Sequence, residues 1–264
     1  MEDNYLEGIK CAVCGNTDEK KFKIKWEYVN FKTVECNECT FTFIPPFYRK
    51  NMDYEHYKDE AVLDEIRNGN NWLKIQRHLH KFKLIGKYKK QGKLFDLGAG
   101  WGHFLYTARM KGYDIYGVEI SQLNCVYSTG DLGLPVQNIS FFDLKEDVKY
   151  DVITLWDVLE HIDRADDVIE KCSRILNKDG YIFIQVPKID SYYAKKFGDK
   201  WGAIHLDHVN YFSNKAMAHL LERFGLEVVD LKSSIELKNM VVSYLLPVLK
   251  RKKRVNNVET LTEP

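Results

Sequence analysis

Three groups of residues carry types and spacings that could do chemistry. The first is a double cysteine pair, Cys11-Ala12-Val13-Cys14-Gly15 and Cys36-Asn37-Glu38-Cys39. A Cys-x-x-Cys turn presents two thiolates to one ion, and two such turns complete the closed tetrahedral shell of structural zinc. Gly15 suits the tight turn after the second ligand. Neither pair has the strand-helix surround of a thiol redox motif, so Cys11, Cys14, Cys36 and Cys39 are read as ligands of one non-catalytic zinc. Cys125 and Cys172 stand alone and are expected to pack in a core.

The second group is Asp96-Leu97-Gly98-Ala99-Gly100-Trp101-Gly102, followed by Glu119. Glycines between a strand and a helix let a ligand approach the backbone closely, and an acid ending the next strand suits the two ribose hydroxyls of an adenosine. The dinucleotide spacing Gly-x-Gly-x-x-Gly is not kept, because His103 follows Gly102. Asp96 would repel a pyrophosphate and suits a cationic amino-acid ligand better.

The third group is polar. Asp157, Glu160 and His161 are spaced i, i+3, i+4 and would converge on one face of a helix. The run His205-Leu206-Asp207-His208 precedes the aromatic pair Tyr211-Phe212. An imidazole beside a carboxylate is a general base, and two histidines with two carboxylates also form a divalent-metal set. His56 and His103 are weaker candidates, read as packed or exposed, and the tyrosines at 48, 54 and 57 as a lid or an interdomain contact.

Elements able to position these groups follow from periodicity. Residues 1–45 alternate in short stretches such as Phe22-Lys23-Ile24-Lys25-Trp26, predicting antiparallel strands around the cysteines. Pro45-Pro46 ends that unit, and residues 46–71 are read as a connecting or lid segment. A helix is predicted over 72–89. Strands are then predicted at 94–97, 115–119, 152–155 and 181–186, with helices over 102–111 and 165–176. This alternation implies an α/β fold with a mostly parallel Rossmann-like sheet and helices on both faces, spanning 72–230. Residues 231–264 are read as an extension and tail, in which Val241–Leu249 precedes the basic block Lys250-Arg251-Lys252-Lys253-Arg254. Such a pair suits a membrane surface, but a solvated tail is the preferred reading.

Net charge is +1, which argues against a nucleic-acid partner. No apolar run is long enough to span a membrane, and the start of the chain lacks the pattern of a signal peptide, so a cytoplasmic setting is expected.

Taken in order, Asp96–Gly102, Gly117-Val118-Glu119-Ile120-Ser121, Tyr150–His161 and Leu176-Asn177-Lys178-Asp179-Gly180 resemble the class I S-adenosylmethionine-dependent methyltransferases. The cysteine pairs and His208-Val209-Asn210-Tyr211-Phe212-Ser213 resemble a bacterial subgroup acting on sugars and small metabolites. The resemblance implies S-adenosylmethionine as cofactor, with contacts from Asp96, Gly98, Ala99, Gly100, Gly102, Glu119, Ile120 and Trp156, and adenine contacts from Ser140 and Phe141. It implies methyl transfer to a small-molecule acceptor, a sugar or nucleotide-sugar being the leading class. Some relatives hold magnesium with Glu-x-x-Glu-His; here Asp157 fills the first place, so a second divalent metal at Asp157, Glu160 and His161 is the weaker expectation and a base among His161, His205 and His208 the stronger. RNA methylation and a non-enzymatic zinc-ribbon interaction protein with a vestigial cofactor fold are the rival readings.

Overall fold

Apolar strands that run without alternation must be covered on both faces, and the centre of this molecule is built from them. The computed structural model describes residues 5–49, 60–69, 71–238 and 240–252. Near the start, strands β1 (Phe22–Glu27), β2 (Lys32–Cys36) and β3 (Thr42–Phe43) pair antiparallel. Helices α1 (Glu60–Asn68), α2 (Asn71–Gln76) and α3 (Leu79–Ile85) lead into β4 (Lys93–Leu97), α4 (His103–Met110), β5 (Asp114–Val118), α5 (Gln122–Val126) and β6 (Val136–Gln137). The chain continues through β7 (Tyr150–Trp156), α6 (Ala165–Ile175), β8 (Leu176–Pro187), α7 (Tyr192–Phe197), β9 (Asn210–Tyr211), α8 (Asn214–Arg223), β10 (Leu226–Lys238) and β11 (Met240–Arg251).

The main sheet has the order β10-β11-β8-β7-β4-β5-β6. Its inner pairs β4–β5, β4–β7, β5–β6 and β7–β8 are parallel, and β11 closes antiparallel onto β8. The strand order turns at β4, whose neighbours are β5 on one side and β7 on the other. A ligand crevice is therefore expected beyond the carboxyl ends of these strands. Leu94, Phe95, Val152, Ile153, Leu155 and Ile182 are fully buried there.

Several expected elements take a different form. The helix predicted over 72–89 is two short helices, because the amides of His78 and Lys81 bond only three residues back, in tight turns, where the first helix ends and the second begins. Half-buried His78 at that break meets Phe104 edge-on, with ring centroids 5.8 Å apart. Part of the connecting segment is helical: Arg67 on α1 donates two hydrogen bonds of 3.0 Å to Asp131. Tyr54, His56 and Tyr57 lie outside the described residues.

The expected tail is corrected most. Residue 230 falls within β10, and Val241–Leu249 belongs to β11, an inner strand of the sheet. Of the basic block, Lys250 pairs with Glu227 at 3.1 Å and Lys252 with Glu222 at 3.2 Å, while Arg251 donates to the Ser173 and Leu176 carbonyls. These cations are committed to folded partners rather than to a free polybasic end; Lys253 and Arg254 lie outside the described residues. Among the described residues, no helix is long and apolar enough to cross a membrane.

The cysteine-bearing unit is joined to the main sheet by more than its linker. Strand β9, contributed by the main domain after α7, pairs with β3 and completes a four-stranded sheet β1-β2-β3-β9. One apolar core runs from Cys11, Val34 and Phe41 through Phe212 and Met217 to Ile153 and Leu155.

The assignment of β11 to the core has a measurable consequence. Leu249 is fully buried, so Leu249→Ala removes a packed side chain and is expected to cost about 2–4 kcal/mol in urea unfolding. A change below about 0.5 kcal/mol, the size typical of surface sites, would return this segment to the status of a tail.

Candidate active site

The glycine loop spans the turn from β4 into α4. Gly98, Gly100 and Gly102 have φ values of 70°, 52° and 76°, a region that a Cβ makes costly. The amides of Gly98 and Ala99 both donate to the Val118 carbonyl at 3.0 Å, tying the loop to the end of β5. A Cβ on Gly102 would lie 2.6 Å from Leu134 Cδ1 and 2.9 Å from Ser128 Cβ, and one on Gly98 would lie 2.7 Å from Val158 Cγ2. A Cβ on Gly100 would meet nothing within 4 Å. Gly98 and Gly102 are thus needed by the fold, whereas Gly100 borders open space, as a cradle for a ligand requires.

Glu119, just beyond β5, is buried and directly engaged with this loop. Its Oε2 accepts from the Gly100 amide at 2.7 Å and its Oε1 from the Ser121 amide at 2.8 Å. A carboxylate offers about four acceptor sites, so capacity for a ribose hydroxyl remains beyond these amides. Burial raises its pKa, and hydrogen bonds from the Ser121, Gly100 and Ile120 amides oppose that shift. Asn138 Nδ2 donates to the Glu119 and Ile120 carbonyls at 2.8 and 2.9 Å and fixes this corner. The Ile120 side chain, 77% exposed, offers an apolar surface beside the carboxylate.

Asp96 lies deeper. It is 2% exposed, accepts a 2.5 Å hydrogen bond from Thr154 Oγ1, and has its pKa pushed up to about 8 by burial, with Thr154 and the Lys81 ammonium pulling the other way. Lys81 Nζ sits 4.2 Å from the centre of the Trp156 ring, a cation–π contact. Trp156 Nε1 has no hydrogen-bond partner among the described residues. His103 opens α4, is buried, and has its pKa pushed down to about 4 by that burial, the character of a packed residue. Ser140 and Phe141 do not join the group by their side chains. Ser140 caps the turn Phe141–Asp143, and the Phe141 ring is buried against Phe95 at 5.8 Å.

The polar cluster assembles differently from its sequence spacing. Asp157 has a φ of 57°, and the segment then makes a single tight turn, Leu159–His161, rather than an α-helix. Asp157 therefore stays near enough to Glu160 to act on its charge but lies outside the group of ligand atoms to which Glu160 and His161 belong. The Asp157 carboxylate instead accepts from Gln185 Nε2 at 3.0 and 2.9 Å. In its place the fold brings His208, so that one ligand atom each of Glu160, His161 and His208 lie within 4.8 Å of one another. Val158, which contacts Gly98, connects this turn directly to the glycine loop.

Both histidines are oriented by backbone carbonyls. His161 Nδ1 lies 2.8 Å from the Asp207 carbonyl and His208 Nδ1 lies 2.8 Å from the Ala203 carbonyl. A carbonyl can only accept, so each Nδ1 carries a proton, and a neutral His208 keeps its lone pair at Nε2. Their rings are 4.7 Å apart, and the His205 ring is 3.8 Å from that of His208. His205 is solvent-exposed and lies outside the three-residue group. The pKa of His208 is pushed down to about 3 by burial, reinforced by its two histidine neighbours. Glu160 is 1% exposed, and neither carboxyl oxygen has a partner among the described residues. Burial first, and the charge of Asp157 second, raise its pKa well above the usual carboxylate range.

The four cysteines form a separate group. Cys11 Sγ is 3.5 Å from Cys39 Sγ, and Cys14 Sγ is 3.6 Å from Cys36 Sγ. Sulfurs at the corners of a zinc tetrahedron, each about 2.3 Å from the ion, stand about 3.8 Å apart, so this set fits such an ion. The two turns match: Gly15 N donates to Cys11 O, and Thr40 N donates to Cys36 O, both at 2.8 Å. Thr40 takes the left-handed conformation that Gly15 takes in the first turn.

Lys81 and Asn210 were not among the site residues read from sequence. Lys81 carried a signal, because it shares a helix face with His78 and Ile85, where an apolar residue is expected. Asn210 stood only within the run His208–Ser213, and its role comes from contacts across 51 residues.

A family model for a methyltransferase domain matches residues 70–231, more than half of the chain. The chain is 21% identical over 176 residues to the ubiquinone biosynthesis O-methyltransferase of Burkholderia thailandensis, covering 61% of this chain and 72% of that protein. It is 28% identical over 109 residues to the enzyme of the same name from Pelagibacter ubique, covering 39% of this chain and 45% of that one. Among solved structures, an S-adenosylmethionine-dependent methyltransferase from Clostridium acetobutylicum is similar with a TM-score of 0.53 and 15% identity, covering 75% of this chain and 99% of that one. A second, from Archaeoglobus fulgidus, has a TM-score of 0.55 and 18% identity, covering 73% and 100%. At these identities the structures speak for the fold.

The glycine geometry separates two variants. Gly102→Ala is expected to lower folding stability by about 1–3 kcal/mol through overpacking against Leu134 and Ser128, beyond its conformational cost. Gly100→Ala should unfold at a higher temperature than Gly102→Ala while binding S-adenosylhomocysteine more weakly than the native chain. Thermal melts in the opposite order, or native affinity in Gly100→Ala, would remove the loop from the binding site.

Proposed function

The chain belongs to the methyltransferase-domain family, whose members here are S-adenosylmethionine-dependent enzymes, and from that premise we propose that it methylates a hydroxyl of a small-molecule acceptor, with sugars and nucleotide-sugars as the first class to test. The observation that carries the reading is the grouping of Glu160, His161 and His208 beside the glycine loop. A sugar hydroxyl is a weak nucleophile at neutral pH and needs its proton removed as the new bond forms. The curated relatives are named as O-methyltransferases, which favours oxygen as the accepting atom.

When bound, S-adenosylmethionine supplies a methyl group on a positively charged sulfur, and its loss leaves a neutral thioether. The chain's residues do the rest. Gly100 leaves room for the methionine part, Glu119 accepts the ribose hydroxyls, and Ile120 faces the adenine. The Lys81 ammonium, beside Trp156, is suited to the methionine carboxylate. The Nε2 lone pair of His208 or His161 takes the acceptor proton as its oxygen bonds the methyl carbon. A neutral imidazole is required for that, and burial of His208 maintains it.

A second reading rests on the same three side chains. Glu160, His161 and His208 offer one oxygen and two nitrogen ligands, and a divalent cation there would neutralise the unpartnered carboxylate and lower the pKa of a bound hydroxyl. RNA is a weaker acceptor candidate because the net charge is only +1. We also propose that Cys11, Cys14, Cys36 and Cys39 hold one structural zinc, a closed set with no position for substrate.

Two outcomes follow. Glu119→Ala should weaken S-adenosylhomocysteine binding by about 1–3 kcal/mol in calorimetry, and native affinity would rule out the ribose assignment. A screen of nucleotide-sugars, free sugars and RNA should identify an acceptor whose turnover collapses in His208→Ala or His161→Ala and persists in His205→Ala. With His208 as base, its lowered pKa keeps it unprotonated above about pH 5, so the rate stays flat to about pH 8 and survives chelator. A chelator-sensitive rate restored by magnesium or manganese selects the cation reading. Full turnover in all three histidine variants would reject both.

A further inference from the structure

We propose that the cysteine ribbon is a positioning element for the His161–His208 pair, and that Asn210 is the residue through which it acts. The inference rests on the assignment of that pair to the reaction made above. It concerns how the pair is held, which neither the sequence spacing nor the family match addresses.

The path is continuous and mostly hydrogen-bonded. Cys36 ends β2, and Cys39 lies three residues before β3. An ion held by these thiolates fixes the turn between the two strands, where the Cys36 amide donates to Phe41 O at 2.8 Å. Strand β3 pairs with β9 through Thr42 opposite Tyr211 and Phe43 opposite Asn210. The Ile44 amide donates to Val209 O at 2.9 Å, and Thr40 Oγ1 lies 3.1 Å from Ser213 Oγ. His208 immediately precedes the residues held in this way.

From β9 the path turns to the other histidine. Asn210 is 3% exposed, and its Nδ2 donates to Leu159 O at 2.9 Å and to Ile162 O at 2.7 Å. These carbonyls flank Glu160 and His161. One side-chain amide therefore clamps the turn bearing His161, while its own backbone lies in the ribbon sheet two residues beyond His208. An unpaired carbonyl in so buried a place is costly, so the clamp has one favoured geometry.

The loop carrying His205 and His208 also rests on ribbon aromatics. Phe31 and Ile44 share a buried cluster with Trp201, Ala203 and Tyr211, and Tyr28 OH donates to Asp199 O at 2.6 Å. On the opposite side, Arg223 Nη1 donates to Ala12 O and Val13 O, at 2.7 and 2.6 Å, inside the first cysteine turn. The ribbon is thus anchored at both cysteine pairs, and a shift of the Cys36–Cys39 turn would pass through β3 and β9 to the imidazoles. Displacements of about 1 Å at reacting groups change rates by about a hundredfold, so such a shift matters to turnover.

The test uses the full chain and reads the histidine ring NMR signals, with His161 and His208 identified by their absence from the two alanine variants. In Asn210→Ala, both signals are expected to move while those of His103 stay in place. S-adenosylhomocysteine should bind within about twofold of native and zinc content should be unchanged, while kcat falls about tenfold or more with little change in acceptor KM. Removing zinc with a chelator should move the same two signals. Should Asn210→Ala fail to fold, Asn210→Asp keeps the shape without the paired amide donors and is read in the same way. The proposal is overturned if the two ring signals are unmoved by the folded Asn210 variant, or if zinc removal leaves them unmoved. Native turnover in His161→Ala and His208→Ala would defeat the assignment of the pair to the reaction, a separate failure, since the ring signals report positioning on their own.

Discussion

Two amides share one acceptor at the centre of this molecule. Gly98 and Ala99 both donate to the Val118 carbonyl, so the end of β4 is tied to the end of β5 at the point where the strand order turns. The tie forces the chain to leave the sheet through three left-handed residues before α4 can begin. It also sets Gly100 against Glu119, because that carboxylate lies one residue beyond Val118 and accepts the Gly100 amide. The loop, the acid and the open space between them are consequences of one local geometry. Val158, pressed against Gly98, carries it across to the end of β7.

The second sheet shows how far a small unit can be built into a larger one. A ribbon of three short strands has little core of its own, and small sheets of this kind rely on a metal or on packing against something else. Here a fourth strand is lent by the main domain, and four sulfurs lie close enough together to hold an ion. Ion pairs follow the same seam, with Asp166 at the start of α6 near Lys10 and Arg223 at 3.9 and 3.7 Å. Such pairs contribute little stability when exposed, and the apolar continuity from Phe41 to Phe212, rings 5.1 Å apart, is the stronger bond between the units.

The central strands, the glycine loop, Glu119 and the cysteine turns were legible in the sequence because each depends on neighbours in the chain. Buried parallel strands are uninterrupted apolar runs, and a left-handed turn is written in glycines. What was hidden depends on distant partners. Helical spacing at Asp157, Glu160 and His161 failed because Asp157 adopts a positive φ, a position that Gln185 stabilises from the next strand. His208, 47 residues from His161, is one of two histidines expected to meet this cluster; that it rather than His205 does so depends on the course of its loop, which no local pattern records. The final hairpin was read as a tail for a similar reason. Its basic residues resemble a solvated end until Glu222 and Glu227 and the carbonyls of Ser173 and Leu176 are known to receive them.

Glu160 makes the chemistry of the cluster a question of where one charge resides. A carboxylate stripped of water without a donor is among the least favourable groups a fold can hold. Asp157 nearby adds a like charge, so Glu160 is driven toward its protonated form unless a cation joins it. Protonated, it becomes a hydrogen-bond donor within reach of the two imidazoles. Ionised beside a metal, it becomes a ligand, and the histidines lose the lone pairs that base chemistry needs. The two readings of this site are therefore mutually exclusive states of the same three side chains. The burial that raises the pKa of Glu160 and lowers that of His208 favours the uncharged forms of both groups.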